Sequence, residues 1–186
     1  MNKYKLTEEK RDVYGRTLFQ IEATASFGSI DKGDKGGWIE KENNLSQEGD
    51  AWVSDNAMVY GDARVYGDAW VSDDAMVSGN AMVFGNARVS DDAWVSDNAM
   101  VSGNAMVYGN ASVYGDAWVF GKYKLTAGSF FGYQYQQEDI KHISQGNDYT
   151  LIAKGDVKCE PTEEKDDATE EAIALLKENG YKITKD

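Results

Sequence analysis

Residues 51–122 read AWVSDN AMVYGD ARVYGD AWVSDD AMVSGN AMVFGN ARVSDD AWVSDN AMVSGN AMVYGN ASVYGD AWVFGK, which are twelve six-residue repeats without an insertion. Position one is always Ala and position three always Val, whereas position five is Gly or Asp. Because side chains alternate along an extended strand, Ala and Val point to the same side and fit a narrow interior. Gly and Asp supply a turn after each short strand. The repeats therefore predict a solenoid whose coils bury their apolar side against one another.

The spacing of Val59 and Ala63, an aliphatic residue followed four positions later by a small one, resembles the hexapeptide-repeat (isoleucine-patch) superfamily. This resemblance implies an all-β solenoid, a left-handed parallel β-helix with three hexads in each coil. The stretches 3–9 (KYKLTEE) and 15–57, which contains GGWIE and NLSQ, resemble a narrower, YdcK-like branch that is frequent in phages and prophages. We therefore expect a phage or prophage origin.

A second period is superimposed on the hexads. Residues 63–86 nearly repeat as residues 87–110, a shift of four hexads. If a coil holds three hexads, each such shift moves a residue to the next face of the solenoid. We therefore expect Trp52 and Trp70 on one face and Trp94 and Trp118 on the other two. This distribution indicates duplication of a structural unit and not selection for one catalytic spot.

Positions two and four of the hexads face outward if Ala and Val face inward, and they carry the bulky residues of the repeats. An exterior rich in Trp, Met, Tyr and Phe is unusual for a monomer, and these residue types are typical of interface cores. We expect self-association, with a trimer favoured, and binding of an unidentified protein, unless the ladders merely stack between coils. The predicted contact residues are Trp52, Met58, Trp70, Met76, Met82, Trp94, Met100, Met106, Trp118, Tyr60, Tyr66, Phe84, Tyr108, Tyr114 and Phe120.

Four segments are predicted along the chain. Residues 1–50 form an N-terminal β cap and a first irregular coil, 51–122 the twelve-hexad β-helix, 123–156 the last coil and a C-terminal cap, and 157–186 a small α/β tail with an acidic linker, a short helix and a strand. In that tail, Asp167 is placed as a helix N-cap and Gly180 as the C-terminal cap.

Both flanks of the repeats carry strand signals. Alternation over TLFQIEATASF (17–27) predicts a half-buried strand with Phe19 and Ile21 on its inner side. Beyond Val119, the residues Leu125 and Phe131 keep the six-residue spacing, which predicts one further turn of the coil.

The composition limits the classes of partner. The chain has 186 residues and a formal net charge of −13. Nucleic-acid phosphates and anionic membranes require a basic surface, so we expect no direct nucleic acid binding and no membrane partner. An acidic surface serves solubility, pairs with basic proteins or mimics nucleic acid. With no leader pattern and no apolar run of membrane-spanning length, we expect a cytoplasmic location in a bacterial host cell.

Candidate catalytic groups are few. The hexapeptide-repeat resemblance implies a histidine base for coenzyme A-dependent acyl transfer, and His142 is the candidate, but the repeats have no inserted loop that could wall a pocket. The lone Cys159 lacks thiolate-promoting surroundings, and turn residues such as Asp62 and Asp73 do not match a calcium-binding repeat. We therefore expect no catalytic residue, no metal ligand and no cofactor.

The predicted function is non-catalytic protein binding, in one version inhibition of a host defence protein. An acyltransferase and a structural scaffold component are the alternatives.

Overall fold

The computed structural model describes residues 2–122 and 124–131, together with the backbone of residues 134–135, 140–141 and 152–153. One 3₁₀ helix, Glu42–Asn44, interrupts the strands of this part of the chain. The strands are β1 (Tyr4–Val13), β2 (Arg16–Ala23), β3 (Lys35–Ile39), β4 (Trp52–Val53), β5 (Met58–Val59), β6 (Arg64–Val65), β7 (Trp70–Val71), β8 (Met76–Val77), β9 (Met82–Val83), β10 (Arg88–Val89), β11 (Trp94–Val95), β12 (Met100–Val101), β13 (Met106–Val107), β14 (Ser112–Tyr114), β15 (Trp118–Val119), β16 (Lys124–Leu125), β17 (Ser129–Phe131), β18 (Gln134–Tyr135), β19 (Ile140–Lys141) and β20 (Ile152–Ala153).

The hexads form a parallel β-solenoid with three faces. The first face contains β3, β5, β8, β11, β14 and β17, the second β4, β7, β10, β13 and β16, and the third β6, β9, β12, β15 and β18. Trp52 pairs with Trp70, an offset of three hexads, which confirms the predicted coil length. Trp94 lies on the first face and Trp118 on the third, so the predicted distribution of the four tryptophans is also confirmed.

The interior of the coil is filled by Ala and Val, as the repeats predicted. Every position-one Ala and position-three Val of the twelve hexads is at most 1% exposed. The coils are joined by regular backbone hydrogen bonds, and Trp52, Met58 and Arg64 each donate N–H to the Ala carbonyl of the next coil at 2.9 Å. Apolar burial and the backbone ladder therefore depend on the same stacking of coils.

The turns explain why position five is Gly or Asp. All twelve of these residues have positive φ, a region that costs most side chains roughly 1–2 kcal/mol. Glycine is also required by space at Gly79, where an added Cβ would lie 2.8 Å from the backbone N of Asp97 in the next coil.

Aspartate replaces glycine at four of these turns, namely at Asp55, Asp73, Asp91 and Asp97. Asp residues tolerate the left-handed region better than most residues. Three of the carboxylates also accept a hydrogen bond from the coil above, at 2.9 Å from Gly109 N to Asp91, 3.1 Å from Gly115 N to Asp97 and 3.4 Å from Asp91 N to Asp73. These contacts offset part of the backbone cost.

The N-terminal cap extends the first face by two antiparallel strands. Strand β1 pairs with β2 and β2 with β3, and β3 then joins β5 in parallel, with Ile39 opposite Val59. The outer edge of β1 carries charged residues such as Glu8, Glu9 and Lys10, which discourage pairing with another strand.

Side chains of the cap satisfy carbonyl groups of the lowest coil that have no coil beneath them. The Lys3 ammonium donates to Ala51 O at 2.8 Å and Gly49 O at 3.1 Å. Asn44 Nδ2 donates to Ala63 O at 2.8 Å and Gly61 O at 3.1 Å. At the remaining corner, the backbone of β3 takes this role, with Trp38 N donating to Ala57 O. The cap therefore closes all three corners of the coil.

Burial shifts the pKa values of two side chains in the cap, Lys3 and Tyr4. It lowers the pKa of the Lys3 ammonium to about 8, although the Asp50 and Asp68 carboxylates act in the opposite direction. Burial also raises the pKa of the Tyr4 phenol, with a further contribution from Glu42. The Tyr4 hydroxyl lies within hydrogen-bonding distance of two carbonyl oxygens, 2.7 Å from Leu45 O and 2.9 Å from Glu42 O.

Two predictions for the flanks were wrong. In β2 Ile21 is buried, as predicted, but Phe19 is only half-buried and Leu18 is buried instead, because irregularities in the pairing with β1 and β3 break the alternation. In β17 the inward residue is Phe130 and not Phe131. Leu125 and Phe130 are five residues apart and not six, so Phe130 is the residue that lies opposite Val113. Leu125 is buried, as predicted.

Several predictions fall on residues outside the described part of the chain: His142, Cys159 and the helix between Asp167 and Gly180. Within the described residues, no helix combines the length and hydropathy needed to cross a membrane.

Candidate protein-binding surfaces

The predicted contact residues do not form one surface but are divided among the three faces. The first face carries Met58, Tyr60, Met76, Trp94 and Tyr114, the second Trp52, Trp70, Met106 and Tyr108, and the third Tyr66, Met82, Phe84, Met100, Trp118 and Phe120. Each face must therefore be considered as a separate candidate.

Two of the predicted contact residues are not accessible, which corrects the sequence analysis. Trp52 points outward from the coil but is only 1% exposed, because Tyr4 and Phe27 of the cap pack edge-on against its ring. Tyr60 is 8% exposed, and Tyr14 of the β1–β2 turn lies against it. Both residues stabilise the junction between cap and coil and are removed from any contact surface.

The outward tryptophans follow a packing rule that links residues 16 positions apart. The Trp94 indole N–H donates to Ser78 Oγ at 3.3 Å, and that of Trp118 donates to Ser102 Oγ at 3.2 Å. At the lower end, a Cβ on Gly36 would lie 2.7 Å from the Trp52 ring. Each of these indoles therefore lies across a small residue of the coil below.

The first face contains a hollow beside Trp94. Its volume is about 460 Å³, and it is lined by Ser78, Gly79, Trp94, Ser96, Asp97, Ser112, Tyr114 and Ser129; we call it the Trp94 hollow. It exists because small side chains, Ser112 and Ser129, stand above Trp94 at position two of the next coils. On the far side, Tyr114 and Phe131 stack with ring centroids 5.4 Å apart.

The small residues of this hollow were not among the predicted contact residues. Ser112 is the one position-two residue of the twelve hexads that is neither Trp, Met nor Arg. That exception was the available signal, because it interrupts the column of bulky side chains above Trp94.

The third face is the most continuously apolar. Met82, Met100 and Trp118 occupy successive coils and are all half-buried. Beside them, Tyr66 and Phe84 are stacked with centroids 4.9 Å apart. Phe120 lies 5.0 Å from Trp118.

Charge interrupts the second face. Arg88 lies between Trp70 and Met106, and Lys124 follows on the last coil of this face. Acidic residues, Asp55, Asp73, Asp74, Asp91 and Asp92, occupy the turns that follow this face. Within the described residues, no group of acidic, His or Cys side chains could hold a metal ion.

Comparison with known proteins agrees with the repeat architecture. A family model described as "YdcK Beta solenoid repeat" matches residues 51–67, 59–73, 75–91, 81–97, 93–109 and 99–115. The chain is also 39% identical over 72 residues to "Uncharacterized acetyltransferase YdcK" of Escherichia coli (strain K12). This match covers 34% of the present chain but 22% of the relative's length. Together, these similarities support a β-solenoid of the hexapeptide-repeat kind.

Proposed function

We propose that this chain is a non-catalytic protein-binding module that holds another protein at the Trp94 hollow. The observation that supports the proposal is the exposure of large apolar side chains at and beside this hollow. The strongly exposed large apolar side chains of the described residues are Tyr14, Trp94 and Phe131, at 78%, 43% and 58%. Trp94 lines the Trp94 hollow, and Phe131 stacks on Tyr114, which also lines it. Tryptophans that line pockets are typical hot spots of protein interfaces.

The lining of the hollow suits a protruding polar or basic segment of a partner. Trp94 and Tyr114 provide aromatic walls, Phe131 stacks on Tyr114 from outside the hollow, and serine hydroxyls provide hydrogen-bonding groups between the walls. Asp97 adds a carboxylate, and the whole chain has a net charge of −13. Charge of this sign accelerates encounter with a basic partner and selects against acidic ones.

The most concrete form of the proposal is a phage- or prophage-encoded inhibitor of a host defence protein in the bacterial cytoplasm. This form is supported by the resemblance of residues 3–9 and 15–57 to phage-associated chains. Pairing of an acidic module with a basic region of the host protein would fit that role.

A matched pair of substitutions tests the proposal. Ser96→Tyr fills the hollow, whereas Ser90→Tyr places the same ring on the second face. Both serines occupy position four and precede an Asp turn, and Tyr occurs naturally at position four in other hexads. The tagged chain is used to capture proteins from bacterial lysate. A protein retained by the wild type and by Ser90→Tyr but lost with Ser96→Tyr supports the proposal; capture that is indifferent to Ser96→Tyr refutes it.

An acetyltransferase is the second candidate, because the E. coli relative carries that name. The chain spans 22% of that relative, so the activity of the whole protein is a separate proposal for this chain. The test is calorimetric titration with acetyl-coenzyme A, with His142→Ala as the companion variant. Saturable binding together with acetyl transfer that His142→Ala abolishes would favour this candidate over the first.

A further inference from the structure

The Trp94 hollow lies at the end of a stack of aromatic rings. Position-four rings stack where two of them stand on adjacent coils: on the third face, Tyr66 stacks on Phe84 with centroids 4.9 Å apart. On the first face, Tyr114 stacks on Phe131 of the coil above it, at 5.4 Å. On the coil below Tyr114, position four is Ser96, which has no ring. The stack therefore ends at Tyr114, and the lower side of its ring faces the hollow.

Trp94 provides a second ring at the opposite side of the hollow. Its indole reaches down to the coil below and donates its N–H to Ser78 Oγ at 3.3 Å, whereas Tyr114 stands on the coil above. The two rings are thus held between one and two coils apart, on the order of 5–10 Å. A flat group in contact with both rings needs about 7 Å, which is twice a van der Waals contact. The hollow has the width for one planar group.

The polar groups of the hollow are mainly acceptors. The backbone N–H of Ser96 donates to Val113 O at 2.9 Å, and that of Gly115 donates to Asp97 Oδ2 at 3.1 Å. The indole N–H is also used, as described above. The other carboxylate oxygen of Asp97 accepts no hydrogen bond from the described residues, and the serine hydroxyls of the lining can accept as well. This lining suits a ligand that donates several hydrogen bonds.

The charges around the hollow favour a cation. Asp91 and Asp92 lie at the edge of the first face before Trp94, and Asp97 lies at the edge after it, all three exposed. The basic residues of the twelve hexads all lie away from this face and from the turns beside it, namely Arg64, Arg88 and Lys122. Lys41 of the cap is bound to Asp62, in a turn two coils below Asp97. A cationic group that enters the hollow is therefore attracted from both edges.

We infer that the Trp94 hollow receives an arginine side chain of the partner protein, an inference that rests on the proposed function and names the residue recognised there. The guanidinium lies flat between the rings of Trp94 and Tyr114 and pairs with the carboxylate of Asp97. Arginine combines a planar group, a permanent charge and five N–H donors. Packing against aromatic faces adds cation–π attraction. A lysine ammonium has the charge without the plane.

Three synthetic peptides test this recognition. Each is a blocked heptapeptide of glycines with two flanking lysines, and its central residue is arginine, lysine or citrulline, the uncharged analogue of arginine. They are titrated into the full chain labelled with ¹⁵N at its indoles, with the Trp94 resonance assigned by Trp94→Phe. Trp118 is the internal reference, because its indole N–H donates to Ser102 Oγ at 3.2 Å in the same way but on the third face.

We expect the arginine peptide to shift the Trp94 resonance saturably and to leave that of Trp118 in place. The lysine peptide should bind about fivefold more weakly and the citrulline peptide about tenfold more weakly. No saturable shift of Trp94 with the arginine peptide, equal affinity of the three peptides, or an equal shift of Trp118 would each overturn the inference.

Two aspartates provide a matched pair for the carboxylate. Asp97 and Asp91 have nearly the same φ, 58° and 57°, and each accepts an N–H of the coil above, from Gly115 and Gly109. Asp97→Asn and Asp91→Asn therefore remove the same charge from equivalent turns, but Asp97 alone of the two lines the hollow. Asp97→Asn should weaken the arginine peptide by about tenfold, and Asp91→Asn by under about twofold. Equal effects of the two variants would contradict the pairing with Asp97.

This inference and the proposed function can fail separately. If Ser96→Tyr abolishes capture of a protein but Asp97→Asn leaves its affinity unchanged, the hollow binds a partner without the arginine pairing, and only this inference falls. If the arginine peptide binds as expected but capture is indifferent to Ser96→Tyr, only the proposed function falls.

Discussion

Substitution of two turn glycines by alanine separates the backbone conformation from the space between coils. Gly79 and Gly121 both have positive φ, 65° and 88°, and both occupy position five. At Gly121 an added Cβ meets no described atom within 4 Å. At Gly79 it would lie 2.8 Å from Asp97 N and 2.9 Å from Asp97 O. The two substitutions therefore impose the same conformational cost but a different steric cost.

The magnitudes follow from these distances. In Gly121→Ala, the strain of a left-handed alanine lowers the free energy of unfolding by about 1–2 kcal/mol. The stiffer unfolded chain offsets a few tenths to about 1 kcal/mol of this loss. We therefore expect a net loss of about 1 kcal/mol. Gly79→Ala must also push apart two coils joined by the hydrogen bond from Asn80 N to Asp97 O at 2.6 Å. Overpacking of this kind costs about 1–3 kcal/mol more, for a total of about 3 kcal/mol.

Thermal unfolding monitored by circular dichroism measures both variants. With roughly 2–4 °C per kcal/mol for a chain of this size, the melting temperature should fall by about 3 °C for Gly121→Ala and by about 9 °C for Gly79→Ala. Equal shifts for the two variants would refute the role assigned to the close approach of the coils.

Two further predictions concern the cap. Asn44→Ala should lower the free energy of unfolding by about 3 kcal/mol, because it leaves the Gly61 and Ala63 carbonyls without their donor. The control, Asn56→Ala at an exposed turn, should lower it by under about 0.5 kcal/mol. Denaturant unfolding compares the two variants, and similar losses would contradict the capping role. The pKa of Lys3 is lowered from 10.5 to about 8, so folding releases a proton between those values, and the stability of the wild type relative to Lys3→Met should rise as pH increases from 8 to 10. Thermal melts of both proteins across this range provide the measurement, and a gap that stays constant with pH would count against the buried ammonium. Tyr4 has a raised pKa and acts oppositely above pH 10, so the comparison stops there.

The sequence was sufficient to predict the coil because the information is local and repeated. Ala51 and Val53 of the first hexad recur in register through Ala117 and Val119, and one period fixes both the inner side of the strand and the length of a turn. With the three hexads per coil that the hexapeptide-repeat resemblance implies, the faces of Trp70, Trp94 and Trp118 follow by counting. None of these inferences requires a contact between unlike segments.

The parts that sequence reasoning missed depend on contacts between distant segments. Trp52 is buried because Tyr4 and Phe27 cover it, and no hexad pattern contains the cap. The Trp94 hollow arises from the neighbour three hexads later, Ser112, so it appears only when residues 18 apart are compared. Phe130 replaces Phe131 inside the coil because one turn is shorter by a single residue.

Two adjacent residues on opposite sides of one strand provide a direct test of whether small side chains fill the coil and bulky ones line its exterior. Val101 is fully buried, whereas Met100 is half-buried on the third face. The measurement is the free energy of unfolding of Val101→Asn and Met100→Asn in denaturant. We expect a loss of at least about 3 kcal/mol for Val101→Asn, which buries an amide without partners, and of under about 1 kcal/mol for Met100→Asn. A larger loss for Met100→Asn than for Val101→Asn would contradict this arrangement.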